Sequence, residues 1–506
     1  MPANPSARLT RLTAAAAALG IVTATAACST TSGGSGEGTK AGGTLTVASP
    51  YPTQSLDPHG ASGASTGTQI AAQAIFSRLV KAKPDGQLAP DLATKWEANA
   101  EATSWTFTLR DGVTFSDGSP ADSADVVASV KRVVDLKGPN AANFTGIDVK
   151  ADGPGTVVFT EPKPDPALPG KLTLLFVTPS EVTDASFTKP VGSGPFKVDA
   201  FTPGQSLSLT ANPDYYGGAP KLDKLVMRVI PEVSARMTAL KTGEIQATWG
   251  IPDDQVTQLE SNDALTVRSV PATSVYTMWF NSGEPALAKP EVRRALWQAV
   301  DFKTIISSLY PSTGEPSKSV VAPAVLGYTP LDPPAYDATA AKAALQAAGF
   351  DFSTPLRLQF SGAEYRQFIQ AVVADLNKVG VKAQVAEKES AVFLEDLLAM
   401  RWDINFQSLS TPTFDAATNL GRLYTCAAKR NGYCNPQLDT LLNQAGSTSD
   451  IAKRKELYGQ ASQLIWNDAV GMYPMSLKIA YAWRSEVHGL EPNPSYLPDF
   501  STVTLS

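Results

Sequence analysis

Between Leu356 and Gln407 three short strand-like runs, Leu356–Phe360, Val381–Val385 and Asp403–Gln407, alternate with helical stretches, and this rhythm narrows the fold more than any other feature. Glu364–Val379 carries Phe368, Ile369, Val372, Val373, Leu376 and Val379 at helical spacing before Gly380 ends it. A strand–helix–strand order of that kind predicts an α/β lobe with a mainly parallel sheet. Helices flank it on both sides in sequence. Pro290 fits a first helical position, with Val292, Ala295, Leu296, Ala299 and Ile306 on one face; Arg294 and Asp301 are then expected on the same helix. Asp337 caps an Ala-rich helix that stops at Gly349, and Asp450–Asp468 forms the last helix.

The first half reads differently. Strand signals recur at Thr44–Ala48, Ser104–Leu109, Thr156–Thr160, Ser206–Ala211 and Leu225–Ile230, with a helix over Ser123–Val134 capped by Asp122 or Ser123. A chain of 506 residues is too long for one ordinary core. Two sheet-containing lobes leave a cleft between them, and clefts at domain interfaces are where small ligands bind.

Charge and composition remove several classes of function. The formal net charge is -6, whereas a nucleic-acid groove needs clustered Lys and Arg. Two histidines, His59 and His488, and three cysteines, Cys28, Cys426 and Cys434, are too few for the common zinc sites, and neither H-E-x-x-H nor GxxxxGK[ST] occurs. Neither a metal nor a cofactor is expected.

The first forty residues read as an address. Arg8 and Arg11 precede an apolar, Ala-rich run over residues 12–27, and Cys28 follows at once. That is a signal peptide over 1–27, and Thr25-Ala26-Ala27-Cys28 resembles a lipobox in which Thr25 departs from the usual Leu. Residues 28–42 are expected to be a lipidated Cys28 and a flexible tether, because nothing in 29–43 is apolar and larger than Ala. Fifteen such residues span about 20 Å r.m.s., enough for a tethered domain to dock on a partner in the same membrane. Export also favours a disulfide between Cys426 and Cys434, eight positions apart in a loop-like stretch with no His nearby.

Short motifs then occur in a characteristic order: Leu56-Asp57-Pro58, LAPDLA (88–93) with Trp96, WTFTLRDGVTFSDGSP (105–120), Ala124-Asp125-Val126-Val127 and PVGSGPF (190–196). NPDYY (212–216), LKTGEI (240–245), Asn281, VRRAL (292–296) with Asp301, and Ala348-Gly349 follow. In this order they resemble the family-5 extracellular solute-binding proteins, which include bacterial dipeptide- and oligopeptide-binding receptors. The resemblance runs from about Gly43 to Pro474. It implies a periplasmic-binding-protein-like two-lobed clamp of type II, cluster C, with an extra inserted domain. Lobe I would comprise 43–77, 190–272 and 476–506, inserted domain II 78–189 and lobe III 273–475, with hinge strands near Val270–Ser274 and Pro474–Leu477. It further implies a monomeric, non-enzymatic receptor that closes on a peptide or similar small polar ligand and delivers it to an ABC permease and its ATPase. An oligosaccharide or other metabolite receptor of the same fold, or a ligand sensor, stays open.

In the family's peptide receptors an acid on lobe III pairs with the ligand's α-amino group and lies in a Trp-containing loop. Counting from the strand places Pro412 opposite that acid and Leu409 opposite the Trp, with Asp415 the nearest carboxylate. Either Asp415 serves instead, or the cargo lacks a free amino terminus. Aromatic candidates for the cleft are Trp249 and Tyr276, while Trp279, Phe280 and Trp402 are expected in the core. The rival enzyme, an exported serine hydrolase, has only Gly63-Ala64-Ser65-Thr66-Gly67 as support. A nucleophile elbow needs a buried strand running into the Ser, and a loop with Pro58 and Gly60 precedes it. The bland reading is the start of a helix over Thr68–Leu79, with His59 and His488 structural or on the surface.

Overall fold

The computed structural model describes residues 42–506. The signal peptide, Cys28 and the tether lie outside the described residues except for Gly42, whose N–H donates to the Lys221 carbonyl at 2.7 Å.

A twelve-stranded mixed sheet is the frame. Its path runs Phe196–Thr202, Ser206–Ala211, Lys224–Val229, Thr44–Ser49, Ala247–Trp249, Met475–Arg484, Leu265–Phe280, Ile404–Ser410, Pro355–Phe360 and Lys382–Glu387. Two short strands, Gly314–Pro316 and Gly471–Met472, pair off this path. The parallel pairs lie where helices intervene in sequence: Pro355–Phe360 pairs in parallel with both Lys382–Glu387 and Ile404–Ser410, as the alternating pattern predicts. Thr44–Ser49 is likewise parallel to Lys224–Val229 and Ala247–Trp249.

Separate cores form around this frame. A first lobe buries Leu45, Val47, Ile70, Phe196, Leu225 and Tyr481 on one face of the sheet and Leu240, Val256 and Ala482 on the other. A second lobe buries residues from Val275 to Met475, among them Trp297, Phe368 and Trp466. A side domain between Leu79 and Val177 packs its own four-stranded antiparallel sheet under the helix Ser123–Asp135. Asp122 starts that helix with a reciprocal capping box to Asp125. Among the described residues two strands join the first and second lobes side by side through most of their length, Leu265–Phe280 and Met475–Arg484. Their pairing slips between Pro271 and Val275, where Thr273 bonds outward to the Pro494 and Thr411 backbones.

The helix expected through Arg294 and Asp301 is two helices, Pro290–Gln298 and Phe302–Leu309. Asp301 is the N-cap of the second, accepting from Thr304 N at 3.0 Å, so its carboxylate begins the second helix. Cys426 and Cys434 are bonded as a disulfide. Among the described residues no helix is long and apolar enough to cross a membrane.

Candidate functional site

Strand alternation builds the floor of the site. In the Leu265–Phe280 strand, Ser274 and Tyr276 lie opposite Ser410 and Ser408 of Ile404–Ser410, and all four line one cavity of about 630 Å³. Trp279 falls on the other face and donates Nε1–H to Tyr424 Oη at 2.9 Å, buried as expected. Trp402 is buried too.

The remaining walls come from all three bodies. The first lobe supplies Tyr51, the Gly250–Pro252 turn and Tyr496; the side domain and its junction supply Arg78 and Thr173; the second lobe supplies Tyr310, Tyr365, Pro412 and Phe414. Tyr276 packs edge-on against Tyr310, Tyr365, Phe368 and Phe406 at centroid distances of 4.9–6.0 Å. Burial pushes the hydroxyls of Tyr51, Tyr276, Tyr310, Tyr365 and Tyr496 above the ordinary tyrosine range, so each keeps its proton and can donate. A volume of this size, with aromatic walls and scattered hydroxyls, suits a small polar ligand.

Two expected site residues are elsewhere. Trp249 is fully buried: its ring stacks on Tyr481 and meets Phe500, inside the first lobe's core. The chain turns immediately after it, so the backbone at Gly250 (φ 64°), and not the indole, reaches the cavity. Asp415 is also withdrawn. Its Oδ2 accepts from Arg454 Nη2 at 2.5 Å in a pair whose side chains are 3% and 8% exposed, and its Oδ1 accepts from Ala417 N. Tyr276 and Pro412 are on the cavity wall, whereas Leu409 packs against the second core.

Charged residues that the sequence did not single out do face the cavity. Arg78 sits on the short strand Ser77–Arg78, which pairs with Phe176–Val177 where the first lobe passes into the side domain. Lys478 projects from the Met475–Arg484 strand and is paired with Glu315. An Arg between the buried Phe76 and Leu79 is a signal that could have been noticed: a cation in an apolar run needs a reason.

The hydrolase constellation does not assemble. Ser65 caps the helix Thr66–Ile75, two residues earlier than expected, and its Oγ accepts from Thr68 N. A Cβ on Gly67 would lie 2.3 Å from the Pro52 carbonyl oxygen, so that motif glycine answers a close backbone approach. His59 is buried with its Nε2 on the Phe176 carbonyl at 2.7 Å, and burial drives its imidazole down to about 4. Among the described residues no cluster of His, Cys, Asp and Glu could hold a metal ion.

Two lobes joined by paired strands, with a cavity walled from both, have the form of a two-lobed binding protein. The family model of bacterial extracellular solute-binding proteins, family 5, matches residues 87–431. The "Probable D,D-dipeptide-binding periplasmic protein" of Escherichia coli is 26% identical over 464 residues, covering 85% of this chain and 88% of its own. The dipeptide-binding protein of the same organism is 25% identical over 476 residues, covering 85% and 89%. An ABC transporter substrate-binding protein from Listeria monocytogenes superposes with a TM-score of 0.83 at 25% identity, over 92% of this chain and all of that one. The chain belongs to family 5 of the bacterial extracellular solute-binding proteins, with their type II periplasmic-binding-protein fold. That family is one of binding proteins.

Proposed function

We propose that this chain is the extracytoplasmic receptor of an ABC importer, capturing a peptide-class ligand by closure and handing it to the permease. The observation that carries this reading is the cavity walled by both lobes and the side domain. A ligand touching all of them stabilises only the closed arrangement, and differential contact of that kind is what shifts a two-state equilibrium. Dipeptide-binding relatives support the peptide class. The reading divides the chain into 43–77, 190–272 and 476–506, 78–189, and 273–475. The separate cores support it, though Phe176 and Phe187 join the first lobe's core, and the slipped pairing between Pro271 and Val275 suits a hinge. The chain works as a monomer, held to the outer face of the membrane by a lipid on Cys28.

The test is mass spectrometry of the ligand that co-purifies with the mature protein, followed by calorimetry and X-ray scattering with it. A peptide-class compound that binds unchanged and compacts the protein is expected. Turnover of the compound, or binding without compaction, would sink the proposal.

A further inference from the structure

The charge around the cavity is one-sided. Among the described residues its lining holds two cations, Arg78 and Lys478, and no carboxylate. Lys478 is already neutralised by Glu315. Arg78 is not. Only 9% exposed, its guanidinium donates to Gln73 Oε1 at 3.0 Å and the Thr173 carbonyl at 3.4 Å and lies over the Phe176 ring, with no carboxylate of the described residues within 4.0 Å. A guanidinium carries five N–H donors, so two neutral acceptors leave it undersupplied and its charge unanswered.

Among the described residues no nearby acid lines the cavity, and Glu364, beside Tyr310 and Tyr365, is exposed to solvent. Asp91 accepts from Tyr216 Oη and from the Arg78 backbone N–H. Asp415 is held by Arg454, and Asp57 by both Nη groups of Arg132. Asp253 accepts from the Ser312 and Thr313 backbone. The cavity tyrosines stay protonated and offer an ammonium no negative charge.

We infer that Arg78 receives a carboxylate of the ligand, and that the ligand has no free ammonium: a peptide-like acid whose amino end is blocked or missing. The inference rests on the cavity being the ligand site of the receptor proposed above. The two parts share one cause. A planar, forked cation matches a carboxylate bidentately, while a desolvated ammonium in the same cavity would meet hydroxyls, carbonyls and the like charge of Arg78.

Four defined pools are offered to the protein and the retained compounds are read by mass spectrometry. They are random peptides of two to five residues with free ends, the same N-acetylated, the same N-acetylated and C-amidated, and amine-free organic acids of matching mass. The N-acetylated acid pool should be retained at least tenfold better than its amidated form and better than the free-ended pool. Arg78→Gln should lower retention of the acid at least tenfold, and Arg78→Lys should restore part of it. Equal retention of acid and amide overturns the inference, as does a tenfold preference for free amines or an unchanged R78Q. Those results leave the peptide reading standing. If R78Q does not fold, the acid-against-amide comparison on the wild type decides alone. Retention of organic acids alone, lost in R78Q, sinks the peptide reading and keeps the anion site; retention of no acid pool overturns the inference.

Discussion

Replacing Asp415 with alanine isolates the most buried ion pair in the second lobe among the described residues. Arg454 would lose its only carboxylate while its side chain stays 3% exposed, with its remaining partners the Pro166 carbonyl and Tyr458 Oη, each at 3.0 Å. Stranding a buried charge costs about 3–5 kcal/mol. Asp415 Oδ1 also accepts from Ala417 N at the start of the helix Ala417–Tyr424, and losing that hydrogen bond costs about 1 kcal/mol more. The expected loss is therefore about 4–6 kcal/mol, a large part of a stability on the order of 5–15 kcal/mol. Urea unfolding followed by tryptophan fluorescence measures it. Because apolar replacement of a whole buried pair is often neutral, Asp415→Ala combined with Arg454→Met should recover at least half of the loss. Ligand affinity should not recover with it: Arg454 reaches the side domain through Pro166, and that contact goes with the guanidinium. A single-variant loss under about 1 kcal/mol, the size of an exposed pair, would refute the reasoning.

His59 should make stability pH-dependent. Its neutral ring donates Nε2–H to the Phe176 carbonyl; burial opposes a second proton, on Nδ1, which would find no acceptor and would face Arg132, and this outweighs the support of the Phe176 bond and of Asp57. The unfolded chain takes that proton near 6.5 and the folded one near 4, so the contribution is whole above pH 6.5 and lost as pH falls towards 4, by about 3 kcal/mol. His59→Asn should flatten that interval of the unfolding profile; an identical slope counts against it. Reducing Cys426–Cys434 should cost about 2–3 kcal/mol through the reopened loop, and an unchanged urea midpoint in dithiothreitol would contradict this. Gly170→Ala places a Cβ 2.7 Å from the Thr413 carbonyl, across the contact between side domain and second lobe. Ligand affinity should fall at least tenfold while the melting temperature of the free protein barely moves; undiminished affinity would mean that contact is not part of closure.

What could be read from the sequence was what is local. The parallel strands of the second lobe followed from spacing, because a helix between strands leaves few other pairings. Asp301 was misread for the same reason: the apolar spacing carries on through Ala299 and Ile306, so the break showed only in the carboxylate that caps Thr304. Trp249 could have been placed by parity. Ala247 and Trp249 share a strand face that is apolar and shut, while Thr248 between them bonds the Ala48 carbonyl.

The site resisted for a different reason. Its walls are drawn from Tyr51 to Leu497, so no window of sequence contains even half of it. Asp415 stood near the right place in the chain, yet its role was decided by Arg454, 39 positions away on the helix Ile451–Asn467. Arg78 shows the converse. Its context in the chain is apolar, its partners are two neutral oxygens, and the charge left over is a property of the folded cavity alone. Counting carboxylates along the chain therefore asks the wrong question of a receptor like this one. Which charges the fold has already paired decides which charge a ligand must bring, and only tertiary contacts hold that information.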